Sequence, residues 1–534
     1  MQVISASQAG LLVKDGDTIL IGGSGSGHAV PESLIAAVES RFLEHSEPRG
    51  LTTIHPVGLG NRATAGAARF GHEGLLKRAV CGTVVDAPSV AELARQGKAE
   101  VYTLPQGALS QLVREIAAGR PGLISHVGLH TFVDPRQQGG KQSTACTEDL
   151  VELIELKGRE WLFYKPFDID VAFLRGTTAD EDGNVSMEDE PLFGEMLSMA
   201  QATRRCGGIV IVQVKRLAKR GTLPGKSVKI PGMLVDAIVV DPDQRQTYQT
   251  EFDPAFAGHL KIPFGSFPKL PLDERKIVAR RCAMELRKGA VCNIGSGICT
   301  GIGLVAAEEG LLDHVVLTNE QGLIGGAPAS GLDAGAARNY WAMIDQPYQF
   351  DFYDGGGLDL AFLSAVEIDQ RGSVNISRFA GRVVGIGGFV NISQNARRMV
   401  FGGTFTAGGL AIEAKGGRLT ILNEGKHRKF VRELEQVTYN GAYAREKGQT
   451  TLFVTERAVF RIGPDGLELI EVAPGMDLDR DILAHMAFRP AISDDLREMD
   501  PRLFDERPMG LEAELQGAWP VHERLVDADR TQGI

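Results

Sequence analysis

One carboxylate, Glu320, stands in the stretch TNEQGLIGG (318–326), between the hydrophobic run Val315-Val316-Leu317 and three glycines, Gly322, Gly325 and Gly326. A carboxylate can act as a nucleophile. With an ordinary pKa of about 4.3 it is ionised at neutral pH and needs no base to activate it. The local sequence leaves two readings open. Glu320 is either a solvated or capping residue where a strand ends, or a group that the strand end presents to a substrate.

Glycine-rich loops are the second chemical feature. Glycine at a strand-to-helix turn lets backbone N–H groups approach a ligand, and a helix N-terminus favours an anion. Such loops recur as GGSGSG (22–27), GSG (295–297), GIGGF (385–389) and GGTFTAGG (402–409). Their clustering in the second half favours ligand binding over plain tight turns. None has the Walker A pattern, and no G-x-S-x-G nucleophile elbow occurs. Gly301-Ile302-Gly303-Leu304-Val305-Ala306 imitates a dinucleotide fingerprint, with Glu320 about 20 residues on. The strand before it is expected to end near Ile294, which puts these glycines inside a helix rather than at the turn. His28, His55 and His130 lack ligand spacing, so no metal site is expected.

These residues need elements to position them, and an internal repeat supplies the plan. DVAFLRGTTADEDGNVSM (170–187) aligns with DLAFLSAVEIDQRGSVNI (359–376). The pairs Asp170/Asp359, Ala172/Ala361, Phe173/Phe362, Leu174/Leu363, Asp180/Asp369, Gly183/Gly372 and Val185/Val374 are identical. Both segments read as a strand, a glycine turn and a second strand. GGIVIVQVKR (207–216) and RRMVFGGTF (397–405) follow as buried strands.

Each half also opens with helix, strand, glycine loop, helix. DTILI precedes GGSGSG, and Pro31 opens the helix PESLIAAVESRFLEH. In the second half Asp273 caps ERKIVARRCAMELRK, Gly289 ends that helix, and AVCNI is the strand. The fold class is therefore α/β, with two related parallel-sheet domains in tandem. The domains are placed at 1–255 and 272–515. A Pro-rich linker at 256–271 joins them, and a peripheral tail covers 516–534.

Bulk properties narrow the partners. A formal net charge of −11 argues against a nucleic-acid partner. The longest uncharged run considered, 290–307, is too polar and glycine-rich to cross a bilayer. Six cysteines without C-x-x-C spacing read as reduced thiols, and the chain is expected in the cytoplasm.

Several longer segments resemble family I coenzyme A (CoA) transferases with both halves fused. They include NRATAGAARFGHEGLLKR (61–78), LPQGALSQLVREIA (104–117), HTFVDPRQQGGK (130–141), LFYKPFDIDVAFLRGT (162–177), NIGSGI (293–298), TNEQGLIGG, QFDFYDGGGLDLAFL (349–363), GIGGFVNISQN (385–395) and FGGTFTAGG (401–409). The resemblance runs through almost the whole chain. It is nearest to the propionate/acetate, short-chain acyl kind and more distant from succinyl-CoA:3-ketoacid CoA-transferase.

The resemblance implies roles residue by residue. Glu320 matches the nucleophile. Gly388 matches the glycine whose N–H stabilises the oxyanion. Gly295, Gly297 and Gly387 match positions near CoA, and Gln106 and Gly23 match the acyl side. Where relatives carry a Gly-Phe sequence this chain has GGSGSGH, which leaves acyl specificity open. No tightly bound cofactor is implied, because CoA is the substrate and a covalent intermediate as a glutamyl thioester. The implied partners are acyl-CoA and small carboxylic acids, and a homodimer or homotetramer is expected. The first half's comparable turn, TTIHPVGLGN (52–61), has no acid, so one nucleophile is expected at the domain interface. The alternatives are an acyl-CoA hydrolase of the same fold and a non-catalytic sugar-phosphate-type binding protein.

Overall fold

The computed structural model describes residues 1–263 and 267–517. Part of the expected linker (264–266) and nearly all of the expected tail (518–534) lie outside the described residues. The first-half sheet has eight strands, in the order Gln2–Ile4, Ala237–Val240, Ile209–Val214, Val171–Arg175, Thr18–Ile21, Leu51–His55, Leu76–Cys81 and Glu100–Thr103. Every neighbouring pair in it is parallel. The second-half sheet has ten strands. Its parallel centre runs Val316–Thr318, Val291–Ile294, Leu360–Ser364, Arg398–Gly402 and Thr450–Val454. That centre repeats the order of the first sheet from Leu51–His55 to Ala237–Val240.

The repeat read from the sequence occupies the same central place in both sheets, for a reason visible in its side chains. Parallel strands are covered on both faces and therefore read as continuous apolar runs. Val171–Arg175 is buried throughout, and Leu360–Leu363 is buried likewise. The paired aspartates tie this strand to its neighbour. Asp170 Oδ2 accepts from Thr18 N–H at 2.8 Å, and Asp359 Oδ2 accepts from Val291 N–H at 3.0 Å. Asp180 and Asp369 each accept two backbone N–H groups inside the following turn. That turn needs glycine: Gly183 and Gly372 have φ of +86° and +77°.

One helix is shorter than expected. Asp273 does cap it, accepting from Lys276 N–H, but it spans Glu274–Ala283 and stops six residues before Gly289. Tight i→i−3 bonds at Glu285 and Leu286 turn the chain out of the helix, and Gly289 N–H then pairs with His314 O at 2.7 Å.

The halves share a core. Leu20, Leu109 and Leu112 of the first belong to the same buried cluster as Phe350, Phe389 and Ile392 of the second. The helix Gln106–Ala117 comes so close to the second half that a Cβ on Gly107 would lie 2.4 Å from Asn391 Nδ2 and 2.5 Å from the Phe350 ring. Among the described residues no helix is long and apolar enough to cross a membrane, and no group of His, Cys, Asp and Glu is placed to hold a metal ion. All six cysteines are unpaired.

Candidate active site

A cavity of about 400 Å³ opens between the halves. Its wall is made where parallel strands end. Ser24, Val57, Thr83 and Gln106 follow four strands of the first sheet, and Gly295, Glu320 and Ser364 end or follow three of the second. Ligands of open α/β sheets bind outside the carboxyl ends of the strands, and here two such edges face one space.

Glu320 sits at the tip of a hairpin. Val316–Thr318 turns back antiparallel as Leu323–Ile324, with Thr318 opposite Ile324. Asn319 closes the turn: its N–H donates to Leu323 O at 3.1 Å, its Oδ1 accepts from Leu323 N–H at 3.2 Å, and its Nδ2 donates to Gly335 O at 3.0 Å. Glu320 is thereby held at the rim, partly buried, with its remaining exposure in the cavity it lines. Burial raises the Glu320 carboxyl above its ordinary pKa, while hydrogen bonds from its own N–H, Asn293 and Gln321 pull it down. Asn293 is itself braced, donating to Tyr353 OH at 3.2 Å, and Tyr353 OH pairs with Thr318 Oγ1 at 2.7 Å.

The three hairpin glycines serve close packing. A Cβ on Gly322 would lie 2.0 Å from Ile344 O, one on Gly325 2.5 Å from the Trp341 ring, and one on Gly326 2.1 Å from Arg338 O. These glycines admit the neighbouring strand Ala342–Met343 and its flanks rather than a substrate.

The GIGG turn is held by the opposite half. Gly82 O accepts from both Ile386 N–H and Gly387 N–H at 2.8 Å. Val84 N–H donates to Val384 O at 2.8 Å, and Thr83 Oγ1 donates to the same carbonyl at 2.6 Å. Gly388 begins the short helix Phe389–Asn395, lines the cavity beside Glu320, and among the described residues its N–H has no hydrogen-bond partner.

The other sequence-chosen residues divide. Gly295, Gly297 and Gln106 line the cavity. Gln106 Nε2 donates to Gln346 Oε1 at 3.1 Å, and Gln346 Nε2 donates onward to Ser110 Oγ and Glu195 Oε2 at 2.6 and 2.7 Å. Gly387 lines the cavity, but both of its backbone polar groups are spent across the interface, since its carbonyl also accepts from Gln106 N–H at 2.9 Å. Gly387 is therefore a fixing point of the turn as well as part of the cavity wall. Gly23 is not on the wall. A Cβ there would meet Val30 and the Ala29 carbonyl at 2.8 and 2.9 Å, so this glycine serves its own loop, and Ser24, Gly25 and Ser26 face the cavity instead.

Sequence reading missed an apolar side of the cavity formed by Val57, Val85, Ile376, Phe379 and Phe389. It also missed the cations Arg62 and Arg382. Arg62 pairs with Asp86 at 3.3 Å. Ile376 is the last position of the repeat and Phe379 and Arg382 lie just beyond it, so the residues following the repeat were the signal available.

The chain is similar to several known proteins. Residues 3–241 match the family described as coenzyme A transferase. The acetate CoA-transferase YdiF of Escherichia coli K12 is 46% identical over 509 residues, covering 95% of this chain and 96% of that protein. The caffeate CoA-transferase of Acetobacterium woodii is 46% identical over 517 residues, 95% and 98% of the two chains. The crystal structure of the acyl-CoA transferase YdiF from E. coli O157:H7 as a thioester complex with CoA superposes with a TM-score of 0.91 at 45% identity, covering 97% of this chain and 98% of that one. The mouse succinyl-CoA:3-ketoacid coenzyme A transferase 2B is 25% identical over 91% of this chain and 89% of its own.

Proposed function

This chain belongs to the coenzyme A transferase family, and we propose that Glu320 is the nucleophile through which it moves CoA between a short-chain acyl-CoA and a free carboxylic acid. The observation that carries the assignment is the placement of Glu320 beside Gly388, whose N–H has no partner among the described residues, in a cavity lined by strand ends of both halves.

The steps follow from the residue type. The Glu320 carboxylate attacks the acyl carbonyl, the carbon–sulfur bond breaks, and CoA leaves as the thiolate with a mixed anhydride on Glu320. The thiolate then attacks the glutamyl carbonyl and releases the first acid as its carboxylate. Glu320 now carries CoA as a thioester, and a second acid runs both steps in reverse. Each intermediate stays activated, which is why a carboxylate serves where a serine ester would lose the stored energy.

A carboxylate is a weak nucleophile, and the site compensates in three ways. The braced hairpin aligns it, and alignment of reactants can supply about 7–11 kcal/mol. Gly388 N–H offers a donor to the oxyanion, a contribution of about 3–4 kcal/mol. Partial burial strips water from the attacking oxygen and shields the anhydride and thioester from hydrolysis. Gln106, locked by Gln346, faces the acid. The apolar wall of Val57, Val85 and Phe379 takes the acyl chain. CoA acts as substrate and transient adduct rather than resident cofactor. The reading extends to a cytoplasmic homodimer or homotetramer, which light scattering on the purified protein tests.

Incubation with acyl-CoA and no acceptor acid should leave CoA on the peptide containing Glu320, seen by mass and removed by borohydride reduction. Glu320→Ala should lose the adduct and the transferase activity. Glu320→Asp should lose roughly 10²-fold in kcat, because withdrawing one methylene misplaces the oxygen by about 1 Å. Full activity in Glu320→Ala would refute the assignment.

A further inference from the structure

Lys429 is 9% exposed, and among the described residues its ammonium has no hydrogen-bond or ion-pair partner. Buried charges are ordinarily paired, because removing a cation from water is costly. Glu456, the carboxylate whose charge acts on it, is already engaged: its Oε1 holds Arg457 Nε at 2.6 Å, and its Oε2 accepts from Phe405 N–H at 2.8 Å. Burial pushes the Lys429 ammonium down to about 8, opposed by the charge of Glu456 and by Cys299.

Its place points to the counter-charge. The ammonium lies against Gly403, where a Cβ would sit 2.6 Å from Nζ. Gly403 follows the strand Arg398–Gly402, whose end pairs with Ser364. Ser364 lines the cavity, and its Oγ lies 3.9 Å from Cys299 Sγ in the turn that follows Gly295–Gly297. The strands carrying Glu320 and Gly403 are three steps apart in the sheet, about 14 Å at the usual spacing of neighbouring strands. The acid's carboxylate reacts at Glu320 and so is not the anion that reaches Lys429. The other anions in the reaction are the phosphates of CoA, carried away from the thioester on an extended arm.

We propose that Lys429 binds a phosphate of coenzyme A, making the end of Arg398–Gly402 a subsite for the far part of the donor. This rests on the reading of Glu320 as nucleophile. The ammonium gives the phosphate a charge-assisted donor, and the phosphate supplies the missing counter-charge. Gly403 is then required because any side chain there would displace Nζ.

The test is Lys429→Met, which keeps the length and removes the charge. The KM for acyl-CoA should rise roughly 10- to 100-fold, with the KM for the acceptor acid unchanged and the CoA adduct on Glu320 still formed. With the corresponding acyl-pantetheine, which has no ADP moiety, wild type and variant should be equal. Acyl-dephospho-CoA separates the sources: a penalty that persists assigns the diphosphate, and one that disappears assigns the 3′-phosphate. Without ligand, Lys429→Met should melt no lower than wild type, and CoA should raise its Tm less. Gly403→Ala should reproduce the KM effect. An unchanged KM for acyl-CoA, or an equal penalty with acyl-pantetheine, overturns the proposal. Absence of any adduct in the wild type would instead overturn the nucleophile assignment.

Discussion

Gly388 and Glu320 pack so closely that a methyl group at position 388 would lie 3.4 Å from Glu320 Cγ, with Phe350 and Ile392 at 3.2 and 3.3 Å closing its other sides. The proposed oxyanion donor and the proposed nucleophile thus sit in contact range of each other.

Gly388→Ala isolates that constraint. The backbone at Gly388 has φ −81°, which alanine adopts freely, so the fold should persist with little change in Tm. The methyl would crowd Phe350 and Ile392 by a few tenths of an ångström and fill the space between the Gly388 N–H and Glu320, and kcat should fall by about a few-fold. Steady-state kinetics beside thermal unfolding separate the two effects. An unchanged kcat would mean that Glu320 does not react from its place beside Gly388.

Gly322→Ala should act through the hairpin. With φ +98° and Ile344 O in the way, an added Cβ forces the Glu320 turn off its neighbouring strand. Left-handed strain alone costs about 1–3 kcal/mol, so the urea midpoint should drop and activity should fall with it. A variant with normal stability and normal activity would show that the hairpin does not fix the nucleophile.

Stability should decline as pH rises from the acid side to about 8, because two carboxyls are buried at the interface. Burial pushes Glu195 up to about 8, with Ser110 and Gln346 donating to its Oε2. Burial likewise pushes Asp354 up to about 7, against donors from Asn391, Gln111 and Asn395. Between their ordinary values and these raised ones the folded protein holds protons that the unfolded chain has lost. Unfolding free energy should therefore fall as pH rises through that window, by up to about 1.4 kcal/mol per pH unit for each group. Urea midpoints from pH 5 to pH 9 measure it, and Glu195→Gln should flatten the part that extends to about 8. A midpoint that rises from pH 5 to pH 8 would contradict the assignment of these groups.

Much of this was legible in the residues because the determinants are local or repeated. The Asp170/Asp359 and Gly183/Gly372 pairs mark the same strand and turn in each half, and each performs a job readable from a few neighbours. The place of Glu320 at a strand end was legible in its neighbours, whereas the role proposed for it came from the resemblance. What failed were contacts made by distant sequence. The hairpin glycines answer to Trp341, Ile344 and Arg338, and Gly387 answers to Gly82. Gly23 was carried from a loop that differs in this chain. Lys429 stands in KHRK (426–429), where nothing in the run of bases tells which one the fold buries.

The seating of residues 384–387 on the Gly82–Val84 loop has a consequence for inheritance. Neither half contains the whole of the proposed oxyanion turn: one encodes the glycines and the other the surface that holds them beside Glu320. A recombinant joining this first half to a second half from a diverged lineage could keep both cores intact and still leave the carboxylate aimed at empty space. The two halves are therefore expected to change in concert along Gly82–Val84 and Val384–Gly388, as a lock and a key cut from the same blank.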